Sequence, residues 1–281
     1  MRLVSEILGE SNSHAPLIVI GHGAMGSRES DDALGVPDWR RCANWARVFR
    51  YDALGHGQSP VSDKMEEYSW SNQGTILQSE LLYLKPSLVD RGIVMVGSSM
   101  SAASMLFAIV NQPDTTEDHP ISKVRHLVLT IPPTSWELRD PARAAMNIWA
   151  NKVESEGVDA FWEYLCAFPP MPFMASARPD YRKIVGPSIK NMSPKALAGL
   201  FRASALSDLP DRSALSKINT PTLILCRTGD PLHPISIGEE LHKFIPNSEL
   251  VISESGTQVK QWPDLIRDFV GTAEERTKAK E

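Results

Sequence analysis

The sequence predicts an α/β fold, a mostly parallel sheet flanked by helices. Two observations predict it. Short, wholly apolar segments recur along the chain, as strands buried on both faces would. Segments of helical length alternate with them, which is the pattern of βαβ units. A third observation places a sharp turn between two such elements. Residues 92–113 carry no charge, so a membrane-spanning helix is one reading of them. Gly97 and the serines Ser98, Ser99, Ser101 and Ser104 interrupt that run in its middle. A buried strand at Ile93–Val96, a tight turn and a buried helix at Met100–Val110 fit it better.

Taken in order, Leu17–Ile20 is the first apolar strand. Gly21-His22-Gly23-Ala24-Met25-Gly26-Ser27 follows it. Its spacing is not that of a dinucleotide loop, because Arg28–Asp32 reads on as polar loop rather than opening a helix. The glycines instead let a backbone N–H, that of Ala24, approach a substrate oxygen. A second strand at Arg47–Asp52 runs into Ala53-Leu54-Gly55-His56-Gly57-Gln58-Ser59. An amphipathic helix over Tyr68–Tyr83 precedes the strand–turn–helix at 93–110.

In that turn, Gly97-Ser98-Ser99-Met100-Ser101 approximates Gly-x-Ser-x-Gly. A serine on a tight strand-to-helix turn is lifted at the sheet edge with its hydroxyl exposed. Ser99 is the candidate nucleophile, and the Met100 N–H points at a developing oxyanion with the helix dipole behind it. A plain buried βα turn is the alternative. Ser101 stands where the pattern has its second glycine, and restricts the turn more.

A strand at His126–Ile131 closes on Pro132-Pro133. From Asp140-Pro141, an N-cap followed by proline, the texture becomes helical. Helices are expected at Val158–Ala167 and Pro194–Leu206, joined by an apolar, proline-stiffened linker at Phe168–Met174. Thr222–Cys226 returns to the sheet, Ile235–Phe244 is a helix, Glu249–Ile252 the last strand and Trp262–Val270 the closing helix.

His-Gly after one strand, Asp-x-x-Gly-His-Gly-x-Ser after the next, then Gly-x-Ser-x-small, resemble the α/β-hydrolase family over nearly the whole chain. The resemblance implies an α/β-hydrolase core at residues 1–137 and 218–281, with a helical cap inserted at 138–217. It implies that Gly21, His22, Gly23 and Gly97 support the motifs, with His22 and His56 bracing loops, and that Ala24 and Met100 form an oxyanion hole. Asp230 matches the position of the triad acid. The family's histidine position is occupied by Thr257, in Gly256-Thr257, and no histidine follows His242. Threonine is no general base near neutral pH. His233, three residues beyond Asp230, either reaches Ser99 as a recruited base or braces the Pro231–Pro234 turn. His242 is expected on a helix surface, and His14, His119 and His126 carry no signal.

The implied activity is hydrolysis of an ester, lactone or related carbonyl compound through Ser99, without cofactor or metal, on a small substrate with an apolar portion. Two other classes stay open: a degenerate binding protein, and a non-hydrolytic carbon–carbon lyase or cyclase. The chain has 281 residues, 42% hydrophobic and 22% charged, with net charge −5. No dense basic cluster appears, which argues against nucleic acid and anionic membrane as partners. Three scattered cysteines (Cys42, Cys166, Cys226) and an N-terminus without a long apolar segment point to a cytoplasmic protein with reduced thiols. Homo-oligomer formation stays open.

Overall fold

A computed structural model describes residues 2–12, 14–112, 119–168 and 172–278, with the side chains of 172 and 272–278 excepted. Residues 169–171 of the expected apolar linker, the end of the 92–113 run and the last residues of the charged tail at 274–281 lie outside the described residues. Seven strands form one sheet: β1 (Ser5–Leu8), β2 (Leu17–Gly21), β3 (Arg47–Tyr51), β4 (Ile93–Ser98), β5 (Val124–Thr130), β6 (Thr222–Arg227) and β7 (Ser248–Ser253). Their order is β1-β3-β2-β4-β5-β6-β7, and only β1 pairs antiparallel. β1 was not foreseen, since its four half-buried residues carry no apolar run.

The apolar strand runs follow from burial on both faces. Leu17, Val19, Ile93, Met95, Leu127 and Leu129 face one core. Their neighbours Ile18, Ile20, Val94, Val96 and Val128 face the other, together with Trp262 and Ile266. Alternate side chains point to opposite faces of a strand, so both sets must be apolar when helices cover both.

Helix α1 (Arg28–Leu34) corrects the polar loop expected at its start. Ser27 and Ser30 cap it reciprocally: Ser30 N–H donates to Ser27 Oγ at 3.1 Å, and Ser27 N–H to Ser30 Oγ at 2.8 Å. Two of its charges are paired, Arg28 with Asp52 at 3.2 Å and Asp32 with Arg50 at 2.5 Å and Arg40 at 2.9 Å. The absence of an apolar stripe hid this helix. The expected helix at 68–83 is shorter, α2 (Trp70–Leu81), because Ser69 caps it and residues 65–68 form a 3-10 turn. The single turn α3 (Pro86–Val89) precedes β4, and α4 (Met100–Val110) follows it as expected.

Between β5 and β6 run α5 (Arg139–Ala167), α6 (Pro172–Ala177), α7 (Tyr181–Lys190), α8 (Pro194–Leu206) and α9 (Arg212–Leu215). Helix α5 starts one residue before the expected Asp140 cap and breaks at Gly157, whose φ of 86° is left-handed. An aromatic cluster joins α5 to α8, with Phe201 5.2 Å from Phe161 and 5.5 Å from Trp149. Arg139, buried, donates to carbonyls of Thr134, Ser204 and Ser207, tying the end of α8 to the start of α5. The Ser207 hydroxyl in turn accepts the Trp70 N–H, so the end of α8 is also fastened to the start of α2. Helices α10 (Ile235–Phe244), α11 (Gly256–Lys260) and α12 (Trp262–Lys278) complete the chain. Among the described residues, no helix is long and apolar enough to cross a membrane.

His126 lies buried on β5 against the edge of Phe269, 5.7 Å away. Burial, aided by Arg125, pushes its pKa down to about 4. The unfolded chain therefore takes up this proton more readily, and the associated stability is lost as pH falls from about 6.5 toward 4. Relative to His126→Leu, the wild-type chain is expected to lose about 2 kcal/mol between pH 7 and pH 5. Urea midpoints of both proteins at the two pH values measure this difference, and a pH-independent difference would contradict it.

Candidate active site

The strand order reverses between β2 and β4, the place where open α/β sheets leave a crevice at their carboxyl ends. Ser99 sits there, half-buried, with φ 51° and ψ −109°. A non-glycine residue in that region is strained, and persists only where its surroundings hold it. Here Ser99 N–H donates to Thr130 O at 3.0 Å, and Ala103 N–H donates to Ser99 O at 3.1 Å. Gly97 makes the turn sterically possible. A Cβ there would lie 2.6 Å from the Ala102 nitrogen and the Ser101 carbonyl. Met100 opens α4, so its N–H is one of the four that a helix leaves without an internal partner.

The loop after β2 passes directly beside Ser99. A Cβ built on Gly23 would lie 3.6 Å from the Ser99 Cβ. His22 fixes this loop from within. Its Nδ1–H donates to Gly23 O at 2.7 Å, and its Nε2 accepts the Ala53 N–H at 2.9 Å. Burial pushes the His22 pKa below its ordinary value, which keeps the ring in this neutral tautomer. His56, 5.0 Å from His22, is pushed down to about 3 by burial and by His22 itself. Both rings hydrogen-bond to loop backbone, His56 through Nδ1 to Leu54 O at 2.9 Å. Asp52 fastens the neighbouring loop, accepting from the backbone N–H of Arg28 at 2.8 Å and of Gln58 at 3.0 Å.

On the other side of Ser99 stands His233. The Ser99 hydroxyl and His233 Nε2 are 2.8 Å apart, and His233 Nδ1 lies 2.9 Å from Asp230 Oδ2. A carboxylate only accepts, so Nδ1 carries the ring proton and Nε2 is free to accept from Ser99. Asp230 is buried. Burial alone would raise its carboxyl, but the hydrogen bond and charge of His233, with the guanidinium of Arg227, hold it well below the usual carboxylate range. Leu232 N–H donates to Oδ1 at 3.2 Å.

A sequence model of the Alpha/beta hydrolase family matches residues 17–259. The chain belongs to that family. It is 25% identical over 248 residues to the "Putative carbamate hydrolase RutD" of Serratia proteamaculans (strain 568), covering 87% of this chain and 85% of that protein. Among solved structures it is similar to a thermophilic esterase from Thermogutta terrifontis, with TM-score 0.74 and 20% identity over 96% of this chain and 93% of that one. It is also similar to an enol-lactonase from Burkholderia xenovorans LB400, with TM-score 0.71 and 18% identity over 96% of each chain. These structural likenesses establish the α/β-hydrolase fold.

Within this α/β hydrolase, Ser99, His233 and Asp230 come together; Met100 follows Ser99 directly at the start of α4, and Ala24 follows Gly23 on the loop beside it. Thr257 does not join them by any hydrogen bond: it lies exposed on α11. One further residue, and the role of a second, escaped the sequence reading. Arg227 donates to Asp230 Oδ2 through Nε at 2.8 Å and Nη2 at 2.5 Å. A cation ending an apolar strand, three residues before an acid, was the available signal. Ser101 is the other. Its hydroxyl donates to His22 O at 2.6 Å and is hydrogen-bonded to the Tyr51 hydroxyl, linking the nucleophile turn to the loop after β2.

The residue that departs from the Gly-x-Ser-x-Gly pattern is therefore a cross-link. Ser101→Ala leaves the buried His22 carbonyl and Tyr51 hydroxyl short of a partner, and is expected to cost about 1–3 kcal/mol of stability. A denaturant midpoint within error of the wild type would show that the link carries no weight.

Proposed function

We propose that this chain hydrolyses small carbonyl substrates with an apolar portion, such as esters, lactones or carbamates, through Ser99. The observation that carries this reading is the continuous hydrogen-bonded series Ser99–His233–Asp230. His233 Nε2 takes the hydroxyl proton as Ser99 Oγ attacks the substrate carbonyl. Asp230 steadies the imidazolium that forms. The N–H groups of Ala24 and Met100 receive the oxyanion of the tetrahedral intermediate. His233 then returns its proton to the leaving group. In the second half the same ring draws a proton from the water that attacks the acyl-enzyme, and returns it to Ser99 Oγ as the acyl–oxygen bond breaks and the acid product leaves.

The helices within 138–217 act in this reading as a cap over the core formed by 1–137 and 218–281. The names of the carbamate hydrolase, esterase and enol-lactonase relatives support the substrate class. Position 257 favoured the binding-protein alternative, because the family histidine is missing there. The contact between His233 and Ser99 supports an enzyme instead, since it supplies a base from another loop.

Fluorophosphonate labelling and hydrolysis of p-nitrophenyl butyrate test the assignment. Ser99→Ala is expected to abolish labelling. His233→Ala should lower kcat by about 10²–10⁴-fold with the denaturant midpoint nearly unchanged. A His233→Ala protein with wild-type kcat would overturn the base assignment. Thr257→His separates the two histidine positions. Thr257 is exposed and Asp230 is already engaged by His233 and Arg227, so the rate should stay within about twofold of wild type. A large gain would mean that the base at 233 is not the operative one.

A further inference from the structure

We propose that Arg227 is a positioning residue of this relay: its guanidinium sets the orientation of the Asp230 carboxylate, and through it the His233 ring, and ties both to helix α6. The inference rests on the hydrolase reading above. It begins with an unusual feature of the site, that acid and base share one short loop. Asp230 and His233 are three residues apart, on a turn closed by His233 N–H donating to Asp230 O at 3.2 Å. In such a tether the carboxylate is not held by the fold on one side and the imidazole on another. If the carboxylate rotates, the ring it orients rotates with it.

Arg227 supplies the missing external anchor. It is the last residue of β6, so its Cα is fixed in the sheet. Both Nε and Nη2 donate to Oδ2, the same oxygen that accepts from His233 Nδ1. A planar guanidinium presenting two donors defines a direction, where an ammonium would supply only a point charge. The guanidinium is itself pinned from the far side. Its carbon lies 4.4 Å from the Phe173 ring centroid, and Nη1 is 3.9 Å from Met174 Sδ. Phe173 and Met174 belong to α6, and both are buried. Side-chain exposures of 9% for Arg227 and 1% for Asp230 put this ion pair away from water, where removing one partner matters most. Among the described residues no hydrogen bond joins Arg227 to Ser99, so it acts through Asp230.

A double-mutant cycle on the full chain tests this, with p-nitrophenyl butyrate as substrate. Arg227→Met is expected to lower kcat about 10–100-fold while KM stays within about twofold. Arg227→Lys, which keeps the charge but loses the fork, should recover part of that loss. In an Asp230→Asn background, Arg227→Met should cost less than about twofold, because the group it positions has already been altered. That double variant buries no unpaired charge, so together with Arg227→Lys it keeps the test open if Arg227→Met does not fold. Wild-type kcat in Arg227→Lys, a loss confined to KM, or equal losses in both backgrounds would each overturn the proposal. Ser99→Ala and His233→Ala run alongside. If they lose the reaction while the Arg227 variants do not, only the positioning role falls. If they keep it, the hydrolase reading falls and the positioning role with it.

Discussion

Where β4 turns into α4, the backbone must reverse its direction within a single residue while two loops approach that residue from either side. Ser99 carries this turn at a positive φ, and the surrounding packing is arranged to tolerate it. The helix lies so close upon the strand that a side chain at 97 would overlap the Ser101–Ala102 backbone. The end of β2 is equally near: a Cβ on Gly21 would meet Ser101 at 2.6 Å. Strain of about 1–3 kcal/mol is typical of such a residue. It is offset by the Thr130 carbonyl, by the buried start of α4, and by the hydroxyl of Ser101 bonded across to His22. The loop after β2 is then held beside the serine by the protein's own contacts.

The charges obey a complementary constraint. Asp230 is a buried carboxylate, which is tolerable only because donors surround it on both oxygens. One of those donors, His233, also faces Ser99. The carboxylate that His233 and Arg227 keep ionised is thereby the acceptor that holds the ring. The histidines at 22 and 56 show the opposite regime: with no carboxylate bonded to their ring nitrogens, burial holds them neutral and they brace loops.

Much of this was legible in the sequence. Apolar runs gave β2 and β4 because strands covered on both faces must be apolar, and glycine spacing located the turn at Ser99. What stayed hidden was polar. Helix α1 is stabilised by a serine capping box and ion pairs with Arg40 and Arg50, none of which leaves an apolar period. The half-buried edge strand β1 was missed for the same reason. Asp230 and His233 were visible as candidates, but a spacing of three residues cannot say whether an imidazole turns outward to brace its own loop or inward to a serine 134 positions away. Arg227 lay three residues before its partner Asp230, but nothing local showed that Phe173 and Met174, some fifty residues earlier, would cover the pair.

The departure at position 257 then has a physical sense within the fold. A relay needs its three groups at hydrogen-bonding distance and in the right tautomer, not in any particular order along the chain. In the proposed relay the imidazole reaches Ser99 from the loop after β6, so the segment after β7 is not required to enter the site. It forms α11 instead, capped by Ser255, with Thr257 facing outward. Gly256 lies so close to Ala177 that a Cβ there would overlap it. Ala177 ends α6, the helix whose Phe173 and Met174 cover Arg227. The stretch after β7 thus packs behind the helix that covers Arg227. A larger residue at 256 would push on α6 before it touched Ser99, so its effect should reach the site through Arg227 and Asp230 rather than through the serine.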